Sequence, residues 1–291
     1  MREVYARVTQ IARQNLYQFM KDNQISPLDY RFDYYFDTCV EVYDIKILEH
    51  HFSNRKIEGL TMIDDEGISF SYEKENPMVK QNFTKCHELG HFILGHDGNM
   101  FTELRRGSES RFEMEANLFS AFILMPDIVL LSNIYYRQAR FSQVISNLGV
   151  SAEALVYRLR DIFKFYLKVE YQEINQAISA YQNNNNKSIL ELFELLKDEI
   201  QTEYRSIEIN PFIAILSAIE ENHFVSSNEF PDLVGNDFRK DLEQLDSAIE
   251  TWADFDFGKT SENYSSTKNE IRPVLSRETY RTPKRIKDEP I

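Results

Sequence analysis

The chain has 291 residues, of which 42% are hydrophobic and 27% charged, enough for a sizeable core and for two domains rather than one. Its net charge of -14 repels phosphate backbones at long range and argues against nucleic acid as the default partner. Two cysteines, Cys39 and Cys86, with no CxxC pair exclude a disulfide framework, and nine glycines with eight prolines are too few for a loop-rich all-β fold. The N-terminal Met-Arg-Glu-Val-Tyr-Ala-Arg lacks a signal-peptide core, and apolar runs such as Ala121 to Met125 are too short for a bilayer. The expected location is therefore cytoplasmic, with no membrane partner.

Apolar groups at Val4, Val8, Ile11, Leu16 and Phe19 predict a first helix over 3–21. Three β-like runs follow, Val40–Leu48, Ile57–Ile63 and Gly67–Tyr72, the last two joined by an Asp64-Asp65-Glu66-Gly67 turn. Asn76-Pro77 reads as the N-cap and first residue of a helix that continues to about Leu94. Residues 97–110 read as a polar loop, and a further helix spans Arg111–Leu124 before Pro126. Helical periodicity fills 127–170, with Gly149 as a turn and Ser151 as a cap in a helix-turn-helix-like pair. Four asparagines, Asn183–Asn186, mark a linker and a candidate domain boundary, acidic amphipathic helices fill 188–255, and the tail from Gly258 is polar.

The chemistry concentrates in His87-Glu88-Leu89-Gly90-His91. On a helix this pattern puts two imidazoles one turn apart on one face, a geometry suited to two corners of a tetrahedral zinc site, with Glu88 beside them as a base. Five residues with two free positions arise by chance, so the surroundings decide. Gly90 costs a helix about 1 kcal/mol relative to alanine, which points to a close backbone approach. Phe83, Leu89, Phe92, Ile93 and Leu94 predict a buried helix, in which two histidines and a glutamate need a metal or hydrogen bonds. His96 lies off the His87/His91 face and reads as a supporting group. Downstream, Glu113 can supply a third ligand while Asn117, one turn later, bonds a ligating histidine; Glu115 is the alternative ligand, and a solvated first turn is the bland reading of both acids.

His87-Glu-Leu-Gly-His91-Phe-Ile-Leu-Gly-His96, followed by Glu113-x-Glu-Ala-Asn-x-Phe-x-Ala-x-x-Leu-Met-Pro126, closely resembles the ImmA/IrrE family of metallopeptidases, and the Asn82-Phe83-Thr84 lead-in is similar. Ser120, Ile123 and Cys86 depart from the family's usual residues, and none of them is a ligand position. The resemblance implies a gluzincin-like minimal metallopeptidase core, a small sheet plus the HExxH helix, with Zn2+ held by His87, His91 and Glu113 and with Glu88 catalytic. The expected fold class is α+β, this core followed by a mainly helical C-terminal region. The expected function is a zinc metalloendopeptidase whose protein substrate is a regulatory protein such as a helix-turn-helix repressor.

The expected domains are a zinc peptidase at 1–130, a helix-turn-helix-like segment at 131–170, an acidic helical domain at 171–257 and a flexible tail at 258–291. Arg158 and Arg160 would carry DNA binding, but two basic groups on an acidic chain weigh toward a helical hairpin that packs or docks protein. The competing function is a non-enzymatic regulator that binds DNA or a repressor through its helical segments. His96, Tyr72, Tyr135 and His223 are candidate oxyanion donors. The Gly67–Lys74 strand is a candidate edge for substrate addition. Trp252 reads as a core anchor, Cys86 as buried packing, and His50 and His51 as surface groups.

Overall fold

The computed structural model describes residues 2–52, 57–104, 110–256 and 259–267. The chain divides into two compact units, Met1–Glu208 and Ile209–Ile291.

The first unit is α+β. Helix α1 (Arg2–Asp22) buries Val8, Ala12, Leu16 and Met20 at four-residue spacing, one stripe facing the core. Helix α2 (Phe32–Val42) ends at a turn in which Asp44 takes a φ of 50°, and strand β1 (Ile45–His50) follows. The run expected as one strand from Val40 is thus helix, turn and strand, which accounts for its imperfect alternation. Strands β2 (Ile57–Asp64) and β3 (Gly67–Glu73) pair as an antiparallel hairpin; Glu66 N donates to Asp64 Oδ1 at 2.9 Å, and Gly67 supplies a φ of 116° that a side chain would oppose.

Strand β1 lies parallel to β3, and β4 (Met100–Leu104) lies antiparallel to β2, giving the sheet order β1-β3-β2-β4. This corrects two expectations. Residues 100–104 are an edge strand rather than loop, because a five-residue run gains strand geometry only by pairing with β2. Strand β3 is interior, flanked on both sides, so it has no free edge to offer a substrate.

Helix α3 (Met78–Ile93) has Pro77, not Asn76, at its N-cap; the Asn76 side chain donates instead to Glu58. Helix α4 (Arg111–Leu124), α5 (Asp127–Leu130) and a π-helical turn (Leu131–Tyr136) continue the chain through the core. Among the described residues this one helical stretch, Arg111–Tyr136, is long and apolar enough to cross a membrane by composition, but 78% of its apolar window is buried inside the fold. Its apolar character is that of a core.

Helices α6 (Phe141–Leu148) and α7 (Ala152–Tyr166) form the expected pair, with Gly149 at a φ of 62° and Ser151 Oγ accepting from Ala154 N at 3.0 Å. Arg158 is turned inward, 2% exposed, donating to Met125 O and Tyr5 OH and paired with Asp127. It is unavailable to DNA, and losing one partner of such a buried pair costs about 3–5 kcal/mol. Arg160 donates to Asn175 at 2.7 Å. Asn183–Asn186 is a tight turn between α8 (Tyr171–Gln182) and α9 (Lys187–Arg205), not a domain boundary, because both helices bury their apolar faces in the core of the first unit.

The second unit comprises α10 (Pro211–Asn222), β5 (Phe224–Ser226), a 3-10 turn (Pro231–Val234), α11 (Asn236–Leu245), β6 (Ile249–Asp256) and β7 (Lys259–Thr267). Its antiparallel sheet has the order β5-β7-β6, and its core gathers Ile215, Ile219, Val225, Leu233, Leu242 and Ile249. Trp252 is buried there, stacked on Tyr264 at 5.4 Å. The unit boundary after Glu208 matches none of the expected boundaries at 130, 170 and 257. The acidic region is not all helix, and the expected tail contains a strand: β7 is polar in composition, and pairing on both sides makes it a strand. Gly258 and residues 268–291 of that tail lie outside the described residues.

Candidate metal centre

Helix α3 is clamped between the sheet and α4. Gly90 faces α4: a Cβ there would meet Phe119 Cδ1 at 3.1 Å and the Ala116 Cα and O at 3.3 Å. This is the backbone approach that the helix-interior glycine implied. Gly59 on β2 faces the other side: a Cβ there would fall 2.2 Å from Glu88 Oε1 and 2.5 Å from Thr84 Cγ2. Glu88 therefore occupies space that only glycine leaves open.

His87, His91 and Glu113 converge, each offering one ligand atom within 4.8 Å of the others. Their Nε2 atoms lie 3.1 Å apart, and the Glu113 carboxylate oxygens lie 3.2 Å from His87 Nε2 and 3.4 Å from His91 Nε2. Both histidines are fully buried, and Glu113 is 8% exposed although it sits in the first turn of α4. The solvated-turn alternative does not hold for it.

Hydrogen-bond logic fixes which ring atoms can point lone pairs inward. His87 Nδ1 lies 3.0 Å from Asn117 Oδ1, an acceptor, so Nδ1 carries the proton and Nε2 the lone pair. For His91 the relay is longer. Glu115 Oε2, an acceptor, lies 3.1 Å from His96 Nε2, which must donate; His96 Nδ1 then accepts from His91 Nδ1 at 2.9 Å. His91 Nε2 is left bare, facing Glu113. Glu115, the alternative ligand, is instead the anchor of this relay, held by Arg7 of α1 and by Arg111 Nε at 2.8 Å. Burial pushes the Glu115 carboxyl up, but the bonds from Arg7, Arg111 and His96 outweigh it and hold it down to about 2. Burial likewise opposes charge on Glu113, yet its bonds to His87 and His91 hold it down to about 2.

Two bare imidazole nitrogens and a carboxylate oxygen crowd one point, an arrangement that a cation relieves. This is the donor set of a zinc site with one open position, so the residues present fit a zinc ion. His87 shows the same demand: burial disfavours its charge, but Glu113 and Glu103 raise its pKa above the usual value. Burial lowers His91 and His96, keeping both rings neutral.

Glu88 lies beside this point, 1% exposed. Thr61 Oγ1 donates to its Oε2 at 2.6 Å, while its Oε1 has no hydrogen-bond partner among the described residues. Burial, with Glu103 and Glu113 adding to it, pushes Glu88 up to about 8 against the pull of His87 and Thr61. The sheet register explains this shell. Gly59 pairs with Glu103 and Thr61 with Phe101, and cross-strand partners share a face. Phe101 accordingly stacks on the His91 ring at 4.6 Å, and Glu103 pairs with Lys80 at 3.1 Å.

Sequence reasoning missed Gly59, Thr61, Phe101, Glu103 and Arg7. The Phe-Thr-Glu alternation at 101–103 was a usable strand signal, but nothing local ties Arg7 to the site. Of the oxyanion candidates, His96 has both ring nitrogens engaged, Tyr72 donates its hydroxyl to Glu49 at 2.7 Å, Tyr135 donates to Glu194 of α9, and His223 belongs to the second unit. Cys86 is buried, and burial raises its thiol pKa, as packing predicts. His51, Glu73 and Glu75 form a second ligand-rich group, but it is exposed at His51 and Glu75, and the Glu73 oxygens accept from Phe52 N and Glu75 N.

Residues 40–160 match the Peptidase_M78 family model, the IrrE N-terminal-like domain. The resemblance of the two motifs to the ImmA/IrrE family thus holds over that segment. The IrrE N-terminal-like segment contains every residue of the proposed ligand set, and it runs through α6 into α7, so the helical pair is included in it. It points to a metallopeptidase. The comparison with curated proteins finds no match.

Proposed function

We propose that the chain is a cytoplasmic zinc endopeptidase with a gluzincin-like core that cleaves a regulatory protein, such as a helix-turn-helix repressor. The observation that carries this reading is the convergence of His87 Nε2, His91 Nε2 and a Glu113 oxygen beside the buried, half-partnered carboxylate of Glu88. A structural metal site has no use for such a base next to an open position.

His87, His91 and Glu113 would hold the ion, with Asn117 and the His96–Glu115 relay fixing the two rings. Bound zinc supplies a Lewis acid and makes water acidic enough to act as a nucleophile near neutral pH. Glu88 Oε1 takes the proton from the attacking water. Thr61 holds the other carboxylate oxygen, so the base keeps one orientation. The unpartnered Oε1 then hands that proton to the leaving amine. With β3 interior, the sheet edge beside the site is β4, whose Phe101 contacts His91; an extended substrate would add there.

The test is zinc content and cleavage of candidate repressors by wild type and Glu88→Ala. Zinc retained with cleavage lost supports the proposal. No cleavage by wild type, together with a regulatory effect in cells that survives Glu88→Ala, rejects it in favour of a non-enzymatic regulator.

A further inference from the structure

Helices α3, α4 and α7 enclose a groove of about 840 Å³, in the size range of sites that bury most of a ligand. Its walls are apolar: Phe83 from α3, Met114, Leu118 and Ala121 from α4, Ala154 and Tyr157 from α7. Met114 is 38% exposed and Tyr157 55%, an apolar surface that water covers poorly. Asn117 joins the groove to the metal centre, since it lines the one and bonds His87 in the other.

The two cations and two carboxylates that line the groove differ in their ion pairing. Arg158, at its base, is committed to Asp127, and Lys80, at the end near the sheet, to Glu103. The carboxylates of Glu153 and Asp161 remain along α7, one on each side of Tyr157 at four-residue spacing and so on one helix face. An apolar floor with an acidic margin is complementary to an apolar segment flanked by cations.

We propose that this groove docks a segment of the polypeptide substrate in which large apolar residues are flanked by Lys or Arg. The occupant's being a substrate rests on the peptidase reading; its chemistry rests on the groove alone.

The test uses the full chain carrying Glu88→Gln, so that binding is read without cleavage. Three labelled peptides are titrated by fluorescence anisotropy: leucine-rich with Lys/Arg flanks, the same with Glu flanks, and a Lys/Arg-flanked peptide with serine in place of leucine. The first should bind about tenfold or more tighter than either of the others, a difference of about 1.4 kcal/mol. Adding Ala154→Trp, which fills the groove, should abolish that binding while leaving zinc content unchanged. Adding Glu153→Lys should shift the preference toward the Glu-flanked peptide. Should Ala154→Trp fail to fold, Tyr157→Ala and Glu153→Lys, both at exposed positions, carry the same test. Equal binding of the three peptides, or binding indifferent to these substitutions, overturns the proposal. So does a self-associated protein that Ala154→Trp makes monomeric, which assigns the groove to a second copy. Selective binding by the Glu88→Gln chain, with no cleavage of any candidate by the zinc-loaded wild type, retains the docking site and rejects the peptidase.

Discussion

Glu88 is a carboxyl held where burial opposes its charge, and this has a sign. An unfolded glutamate titrates near 4.5, whereas Glu88 in the fold is pushed up to about 8. Between those values the folded chain keeps a proton that the unfolded chain has released, so stability of the metal-free protein falls as pH rises from about 4.5 to about 8. Thermal melts in chelator should show that fall, and Glu88→Gln should flatten it and melt higher than wild type at the alkaline end. An unaltered slope in the variant would rule out the assignment. Gly59 makes the space for this carboxyl. Gly59→Ala places a Cβ 2.2 Å from Glu88 Oε1, so overpacking should cost about 1–3 kcal/mol in urea denaturation and displace the base. Peptide hydrolysis should fall further than zinc binding, because Glu88 is not one of the three ligand residues.

At the scale of elements, the seam between α3 and α4 positions the ligands, since His87 and His91 come from one helix and Glu113 and Asn117 from the other. Two effects compete at Gly90. Alanine would gain about 1 kcal/mol of helix propensity. Its Cβ, however, would press on the Ala116 backbone at 3.3 Å, which cannot rotate aside as a side chain can. Overpacking of about 1–3 kcal/mol should win, so Gly90→Ala lowers the denaturation midpoint and weakens zinc affinity as the helices part. A raised midpoint would show that the seam is looser than this geometry. The other side of α3 meets the sheet through Thr61 and Phe101, so β2 and β4 belong to the site as much as the helices do.

At the scale of the molecule, every residue of the metal centre and of the groove lies in Met1–Glu208, and Ile209–Ile291 has a core of its own. A chain ending at Glu208 should therefore fold and bind zinc with the stoichiometry of the full chain, measured by metal analysis and circular dichroism. Loss of zinc, or of more helical signal than α10 and α11 account for, would contradict that independence.

What the sequence determined by itself was local. Its periodicities placed α1, the β2–β3 hairpin, α3, α4 and the α6–α7 pair, because each carries its own apolar stripe, cap or turn. The spacing of His87, Glu88, His91, Glu113 and Asn117 is also local, one helical turn at a time, which is why the candidate site could be read before its geometry was known. The tertiary structure decided everything that depends on a partner distant in the chain. Residues 100–104 become a strand only against β2, and polar β7 only between β5 and β6. Arg158 reads as a surface base until Asp127 draws it into the core. Glu115 reads as a spare ligand until Arg7, from the first helix, and His96 make it the anchor of His91. Gly59 gives no signal in its own segment, because what it makes room for is a carboxylate on another element.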